Sequence, residues 1–388
     1  MTMRVLTLNY EYPPLGGGAA PASEELATTL VDRGHEVDVV TMGFDGLPDL
    51  EIRRGVEIHR VTCLRTSSSM SRPHEMATFL PTGFLRARTL LQQRDYDVVH
   101  SHFILPTGTI ALALKRRYDV PYVITPHGSD VPGYNPDRFG LLHRATMSMW
   151  RRIVEEAETI VSPSNYLAGL IRSAGADTPI EVVPYGFDHV PYDPDRDRNE
   201  RILITSRLFE RKGIQFVLEA LAEIDTDWDV VIAGDGPYRT PLERKAKRLE
   251  LDVTFTGWLD RNTALKSLLE TSEVYVFPSS HDNCPVSLLE AMAAGTAVVA
   301  SKHSGTGEVV GDAGLVVDPQ NVTAVASAIE RVQLDSTLRS NLQKMSRKRI
   351  EERYDWDRIG ERYENLFEVA SAQGRGTTSI DERIEGVE

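Results

Sequence analysis

Two successive series of short β-branched runs, each run followed by a loop and a helix-length segment, constrain this chain more than any other feature. The first series is Arg4–Leu8, Val37–Thr41, Val56–Val61, Val98–His100, Tyr122–Thr125, Thr159–Ser162 and Glu181–Val183. Most of these runs are near-continuously apolar and lack period-2 alternation. Strands covered on both faces of a parallel sheet read this way. Segments 23–33 and 141–157 read as helices between them, and Gly34 stands where it can cap the first. The pattern stops at HVPYDPDRDRNE, residues 189–200, whose prolines and aspartates predict a linker. It then restarts. Arg201–Thr205, Asp229–Ala233, Val253–Thr256, Val274–Phe277, Ala297–Ala300 and Leu315–Val317 read as strands, and 213–223, 241–249, 263–271 and 285–294 as helices.

Two restarting series predict an α/β chain of two doubly wound Rossmann-like domains facing across a cleft, residues 1–188 and 201–352. A charged amphipathic helix is expected over 347–370, with its 353–370 part packing back toward the N-terminal domain, and a loose polar tail over 371–388. The length of 388 residues accommodates two such domains. The net charge of −14 argues against nucleic acid as a partner. Two cysteines, Cys63 and Cys284, cannot build a disulfide framework, so a cytoplasmic protein is expected. No apolar run reaches membrane-spanning length, and MTMRVLTLNY reads as a first strand rather than a signal peptide.

In doubly wound sheets ligands bind beyond the carboxyl ends of the strands, so chemistry is sought in those loops. The first loop, EYPPLGGGAA, carries Gly17 and Gly18 ahead of a helix N-terminus, where backbone can approach an anion. It fits the dinucleotide fingerprint poorly, and the strand VDVVTMG ends without the acidic residue that would hold a ribose. His127 and Asp130, in TPHGSD, follow a strand directly. His100 and His102 lack a third ligand at a metal-binding spacing and are read as packing or acceptor contacts.

In the second half, SRLFERKG places Arg207 at a strand end and Lys212 before a helix, two cations suited to a diphosphate. Gly234 and Gly236, in AGDGP, allow close approach to a ligand. The strongest local feature is SSHDNCPVSLLEAMAAGTAVVAS. There Pro285 suits the first helical position, N–H groups around Asn283, Cys284 and Val286 can face an anion, and Asp282 and Glu290 can accept hydroxyls.

Taken together, PPLGGGA, HGSD, VVPYGFD, SRLFERKG, AGDGP, TGW, HDNCPVSLLEAMAAGTAVV and GTGEVV resemble the retaining glycosyltransferases of family 4, which have the GT-B fold, over about residues 1–370. The resemblance implies transfer of a hexosyl group from a UDP- or GDP-linked sugar to a glycan or polyprenyl-linked acceptor, with no metal and no cofactor. It implies catalytic roles for Arg207, Lys212, His127 and Asp282. Arg207 and Lys212 would bind the donor diphosphate, Glu290 the ribose, and the loop from Asp282 through Val286 the sugar and phosphates. Gly17 and Gly18 would line the phosphate and acceptor side. The family usually has Glu at both ends of the seven-residue spacing; here Asp282 stands at the first. Two other functions fit less well, a nucleotide-sugar-binding protein without turnover and an NAD-dependent oxidoreductase. Residues 65–94 interleave five arginines with Met70, Met76, Phe79, Leu80, Phe84 and Leu85, a composition that can seat peripherally on the inner face of an anionic membrane.

Overall fold

The computed structural model describes residues 2–381. The chain forms two compact units. One runs to Gly186 and resumes at Trp356; the other is Phe187–Asp355.

The first unit contains strands β1 (Arg4–Leu8), β2 (Glu36–Met42), β3 (Leu50–Arg53), β4 (Val56–Val61), β5 (Val98–His102), β6 (Tyr122–Thr125), β7 (Thr159–Ser162) and β8 (Ile180–Val182). Between them lie α1 (Ala19–Asp32), α2 (Pro73–Gln93), α3 (Thr107–Tyr118), α4 (Pro136–Glu155) and α5 (Asn165–Ser173). The sheet order is β3-β4-β2-β1-β5-β6-β7-β8, parallel except for the β3–β4 pair. Neighbouring strand residues belong to different cores. Leu6, Leu8, Val40, Val99 and Ile124 join one apolar cluster, while Val5, Val39, Val98 and Val123 join another. Both faces are therefore covered, which is why these runs are apolar at every position. The edge strand β3 escaped the sequence reading because Glu51 and Arg53 alternate with exposed Leu50 and Ile52.

The second unit contains β9 (Asn199–Thr205), β10 (Asp229–Ala233), β11 (Val253–Gly257), β12 (Ser272–Phe277), β13 (Ala297–Ser301) and β14 (Gly314–Val317). Its helices are α6 (Ile214–Leu221), α7 (Arg239–Arg248), α8 (Lys266–Glu270), α9 (Val286–Ala293), α10 (Ser304–Val310), α11 (Val322–Leu334) and α12 (Ser336–Arg353). The order β11-β10-β9-β12-β13-β14 is wholly parallel. It reverses direction between β9 and β12, and that reversal marks where such a sheet opens a crevice for ligands. In the first unit the corresponding reversal falls between β1 and β5.

Three expectations need correction. The predicted helix 347–370 is two helices. α12 ends at Arg353, with Ile350 and Tyr354 buried in the second unit, and α13 (Trp356–Asp381) starts afresh on the first. Ile359, Tyr363, Phe367 and Ala370 of α13 complete the core beside α1, the Arg33–Glu364 ion pair ties the two helices, and the Trp356 ring fills the space beside Gly186. This helix continues past residue 371, where the sequence predicted a loose tail, to Asp381; residues 382–388 lie outside the described residues. The stretch predicted as a linker is also bonded to the second unit. Asp193 N–H and Arg196 bond Glu270, and Arg198 donates to the carbonyls of Pro194, Ser272 and Ala294.

Candidate active site

In the second unit the loops after β9 and β12 hold most of the sequence-predicted residues. Lys212 lies in a single 3₁₀ turn, Glu210–Lys212, before α6. Its ammonium donates to both carboxylate oxygens of Asp282, at 2.8 and 2.7 Å. Burial by itself would raise the Asp282 carboxyl. The charge and hydrogen bonds of Lys212, helped by Ser279 and Arg211, hold it below the ordinary value. Arg207 is exposed, its guanidinium 5.9 Å from the Phe209 ring.

The AGDGP glycines lie against the protein's own main chain. A Cβ on Gly234 (φ +132°) would lie 1.9 Å from the Ser206 carbonyl oxygen, and one on Gly236 would lie 2.4 Å from that of Leu208. They let the β10 loop press against the β9 loop. Leu208 N–H bonds the Asp235 carbonyl and Tyr238 N–H bonds that of Leu208, so this contact seats the backbone on either side of Arg207.

Asn283, Cys284 and Pro285 are buried. Gly305 of α10 packs against the Asn283 carbonyl, and its N–H donates to Asp282 O at 3.0 Å. Pro285 is the N-cap of α9 rather than its first residue, and its carbonyl accepts from Leu288 and Leu289. Val286 then opens the helix. Glu290 is buried within α9, and its Oε1 accepts from Arg261 Nε and from the Tyr192 hydroxyl. Burial pushes the Glu290 carboxyl up, and Arg261 and Tyr192 oppose the shift.

In the first unit, the loop after β1 is shaped by Gly16 rather than by Gly17 or Gly18. Gly16 has φ +108°, and a Cβ there would come within 2.7 Å of Glu11 Cβ. Gly17 N–H donates to Glu11 Oε2, and Gly18 is the N-cap of α1 with open space beside it. Burial raises the Glu11 carboxyl; the Gly17 N–H and Arg65 oppose it.

His127 joins a histidine cluster. Its Nε2 is 3.0 Å from His102 Nδ1, and its Nδ1 is 2.7 Å from the Tyr185 hydroxyl. His100 Nε2 meets Thr125 Oγ1 at 2.8 Å. Burial holds all three imidazoles neutral, and pushes His102 down to about 3. Asp130, three residues after His127, braces this loop from within. One carboxylate oxygen accepts from the N–H groups of His127 and Gly128, and the other accepts from that of Ile104. Burial raises it to about 6 despite those donors. The sequence reading missed Tyr185, Tyr192, Arg261 and Gly16. Tyr185 lay within the quoted VVPYGFD, but nothing local pairs Arg261 or Tyr192 with a glutamate 29 or 98 residues away.

Among the described residues one group, Asp38, Glu57 and His59, has metal-ligand spacing. Arg94 already bridges both carboxylates at 2.9–3.1 Å, so the charge an ion would supply is present. Helix α2 turns Phe79 into the core and packs Met76, Leu80 and Phe84 against it; Leu85 and Arg88 of the helix, and Met70 and Arg72 just before it, are exposed. No described helix is long and apolar enough to cross a membrane.

Comparison with known proteins agrees in both halves. The family described as Glycosyltransferase Family 4 matches residues 16–190, and Glycosyl transferases group 1 matches 193–349. An uncharacterized glycosyltransferase of Methanocaldococcus jannaschii is 30% identical, over 95% of this chain and 98% of its own. The glycogen synthase of Mycobacterium tuberculosis is 29% identical over 92% of each. Among solved structures, sucrose-phosphate synthase from Thermosynechococcus elongatus superposes with a TM-score of 0.79 at 20% identity, covering 96% of this chain and 100% of that one. HepE of Anabaena in complex with UDP gives 0.74 at 18%, covering 95% and 100%.

Proposed function

Since this chain belongs to the group 1 glycosyltransferases of family 4 and has their GT-B fold, we propose that it is a retaining hexosyltransferase using a UDP- or GDP-linked donor. The observation that carries the donor reading is the placement of Arg207 and Lys212. Both cations follow β9, at the reversal of the second sheet, and Lys212 reaches the loop that leads into α9. HepE structures holding UDP and UDP-glucose support a donor of this class.

The chemistry follows from charge. The bond from the anomeric carbon to the diphosphate oxygen breaks, leaving positive charge on the sugar and negative charge on the nucleotide. Arg207 and Lys212 stabilise the latter, with the first N–H groups of α9. These cations supply the charge that a divalent ion would, so no metal is invoked. The acceptor hydroxyl bonds the anomeric carbon on the face the diphosphate leaves, and its proton passes to the departing phosphate oxygen. Glu290 holds the ribose. Asp282 orders Lys212 and accepts from sugar hydroxyls; it forms no covalent intermediate. The acceptor is a glycan or a lipid-linked acceptor. Outward Met70 and Leu85 beside Arg72 and Arg88 favour the lipid-linked case, which flotation with anionic vesicles tests.

Thermal unfolding with UDP, GDP, ADP or NAD at matched millimolar concentration tests the donor reading. A ligand at 100 times its Kd stabilises by about 2.7 kcal/mol, a shift of several degrees for a domain of this size. A shift with UDP or GDP is expected. A shift with NAD alone, or with none, removes the proposed roles of Arg207, Lys212 and Glu290.

A further inference from the structure

The two oxygens of Glu290 are held differently. Oε1 accepts from Arg261 Nε and, at 3.3 Å, from the Tyr192 hydroxyl. Oε2 accepts from no described residue. Arg261 comes from the turn after β11 and Tyr192 from the segment before β9, so two separate elements converge on one oxygen of a residue on a third. The carboxylate torsion of a glutamate is broad and weakly directed. Two donors on one oxygen fix its plane and leave the other oxygen as the acceptor. The Glu290 side chain is 5% exposed while that of Arg261 is 50% exposed, so the guanidinium reaches in from the surface. An ionised carboxylate at that depth needs a partner charge, and Arg261 provides it.

We propose that Arg261 is a positioning residue for donor recognition, fixing Glu290 Oε1 so that Oε2 is presented to the ribose hydroxyls of the nucleotide. The proposal rests on the ribose role given to Glu290 above. Arg261 acts through Glu290 and need not touch the donor.

Calorimetric titration of the full chain with UDP and 2′-deoxy-UDP, and with GDP and 2′-deoxy-GDP, tests this on whichever pair the wild type binds. The wild type is expected to prefer the ribonucleotide by about tenfold, the order of one hydrogen bond to a charged group. In Arg261→Gln that preference falls to about threefold or less. In Arg261→Lys, which keeps the charge, part of it returns. A general loosening of the fold would weaken both nucleotides alike and leave the ratio unchanged. If Arg261→Gln keeps the full preference while Glu290→Gln loses it, the positioning role is overturned and the ribose role of Glu290 stands. If Glu290→Gln keeps the preference, or no nucleotide binds, both fall together.

Discussion

The ammonium of Lys212 is bound by both oxygens of Asp282, at 2.8 and 2.7 Å, across 70 residues of sequence. The two side chains given separate tasks from the sequence, one toward the diphosphate and one toward the sugar, are a single ion pair. On the donor role proposed above, a diphosphate arriving at Lys212 would compete with Asp282 for it and release a carboxylate able to accept from sugar hydroxyls.

Lys212→Ala is expected to lower kcat by about 100-fold or more, the order of losing one preorganised electrostatic stabiliser. Asp282→Asn should lose less, and the double variant should lose less than the sum of the two because the pair acts as a unit. Steady-state kinetics on all three variants measures the coupling. Additive losses would mean that the pair is not used in turnover.

Gly234→Ala should damage the donor half without touching a ligand. Its Cβ would meet the Ser206 carbonyl in a left-handed backbone region. The expected cost is about 2 kcal/mol or more, because the site combines backbone strain with a clash against main chain. The unfolding midpoint of the second unit should fall and the donor KM should rise, as the Arg207 loop shifts. A midpoint at the wild-type value would show that the loop accommodates a side chain.

The histidine cluster makes the first unit sensitive to acid. His100, His102 and His127 are held neutral in the folded state, His102 down to about 3, whereas in the unfolded chain each protonates near 6.5. Lowered folded values mean that stability is full above 6.5 and is lost as pH falls below it. The slope is about 1.4 kcal/mol per pH unit for each histidine. Asp130, raised to about 6 when folded, works the other way between about pH 4 and 6 and offsets part of this loss. Denaturant unfolding at pH 7 and pH 5 should show the decline, and His102→Asn should make it shallower. An unchanged slope in that variant would mean that His102 is not titrating as described.

Tyr185→Phe removes the hydroxyl 2.7 Å from His127 Nδ1. Turnover is expected to fall about 3- to 10-fold, the range for one neutral hydrogen bond, while the unfolding midpoint changes little. Activity equal to wild type would show that the orientation of His127 does not depend on this contact.

The alternation of strand and helix was legible because each parallel strand is buried on both faces. Leu6 must be apolar for one core and Val5 for the other, and such runs announce themselves locally. Short sequence distances placed Arg207, Lys212 and Asp282 on loops after strands, and Glu290 in the helix that follows. What the sequence withheld depends on contacts between distant segments. Gly234 and Gly236 pack against the carbonyls of Ser206 and Leu208, and backbone N–H groups of His127, Gly128 and Ile104 bond both oxygens of Asp130, contacts that no local pattern announces. The sequence placed the change of domain near residue 353, but the break between α12 and α13 was not visible within the amphipathic stretch, because it is set by which unit buries Ile350 and which buries Ile359. Local pattern determined the elements and their order. Tertiary structure alone decided the partners of each charge, because a hydrogen bond or ion pair depends on distance in space, and sequence separation does not report it.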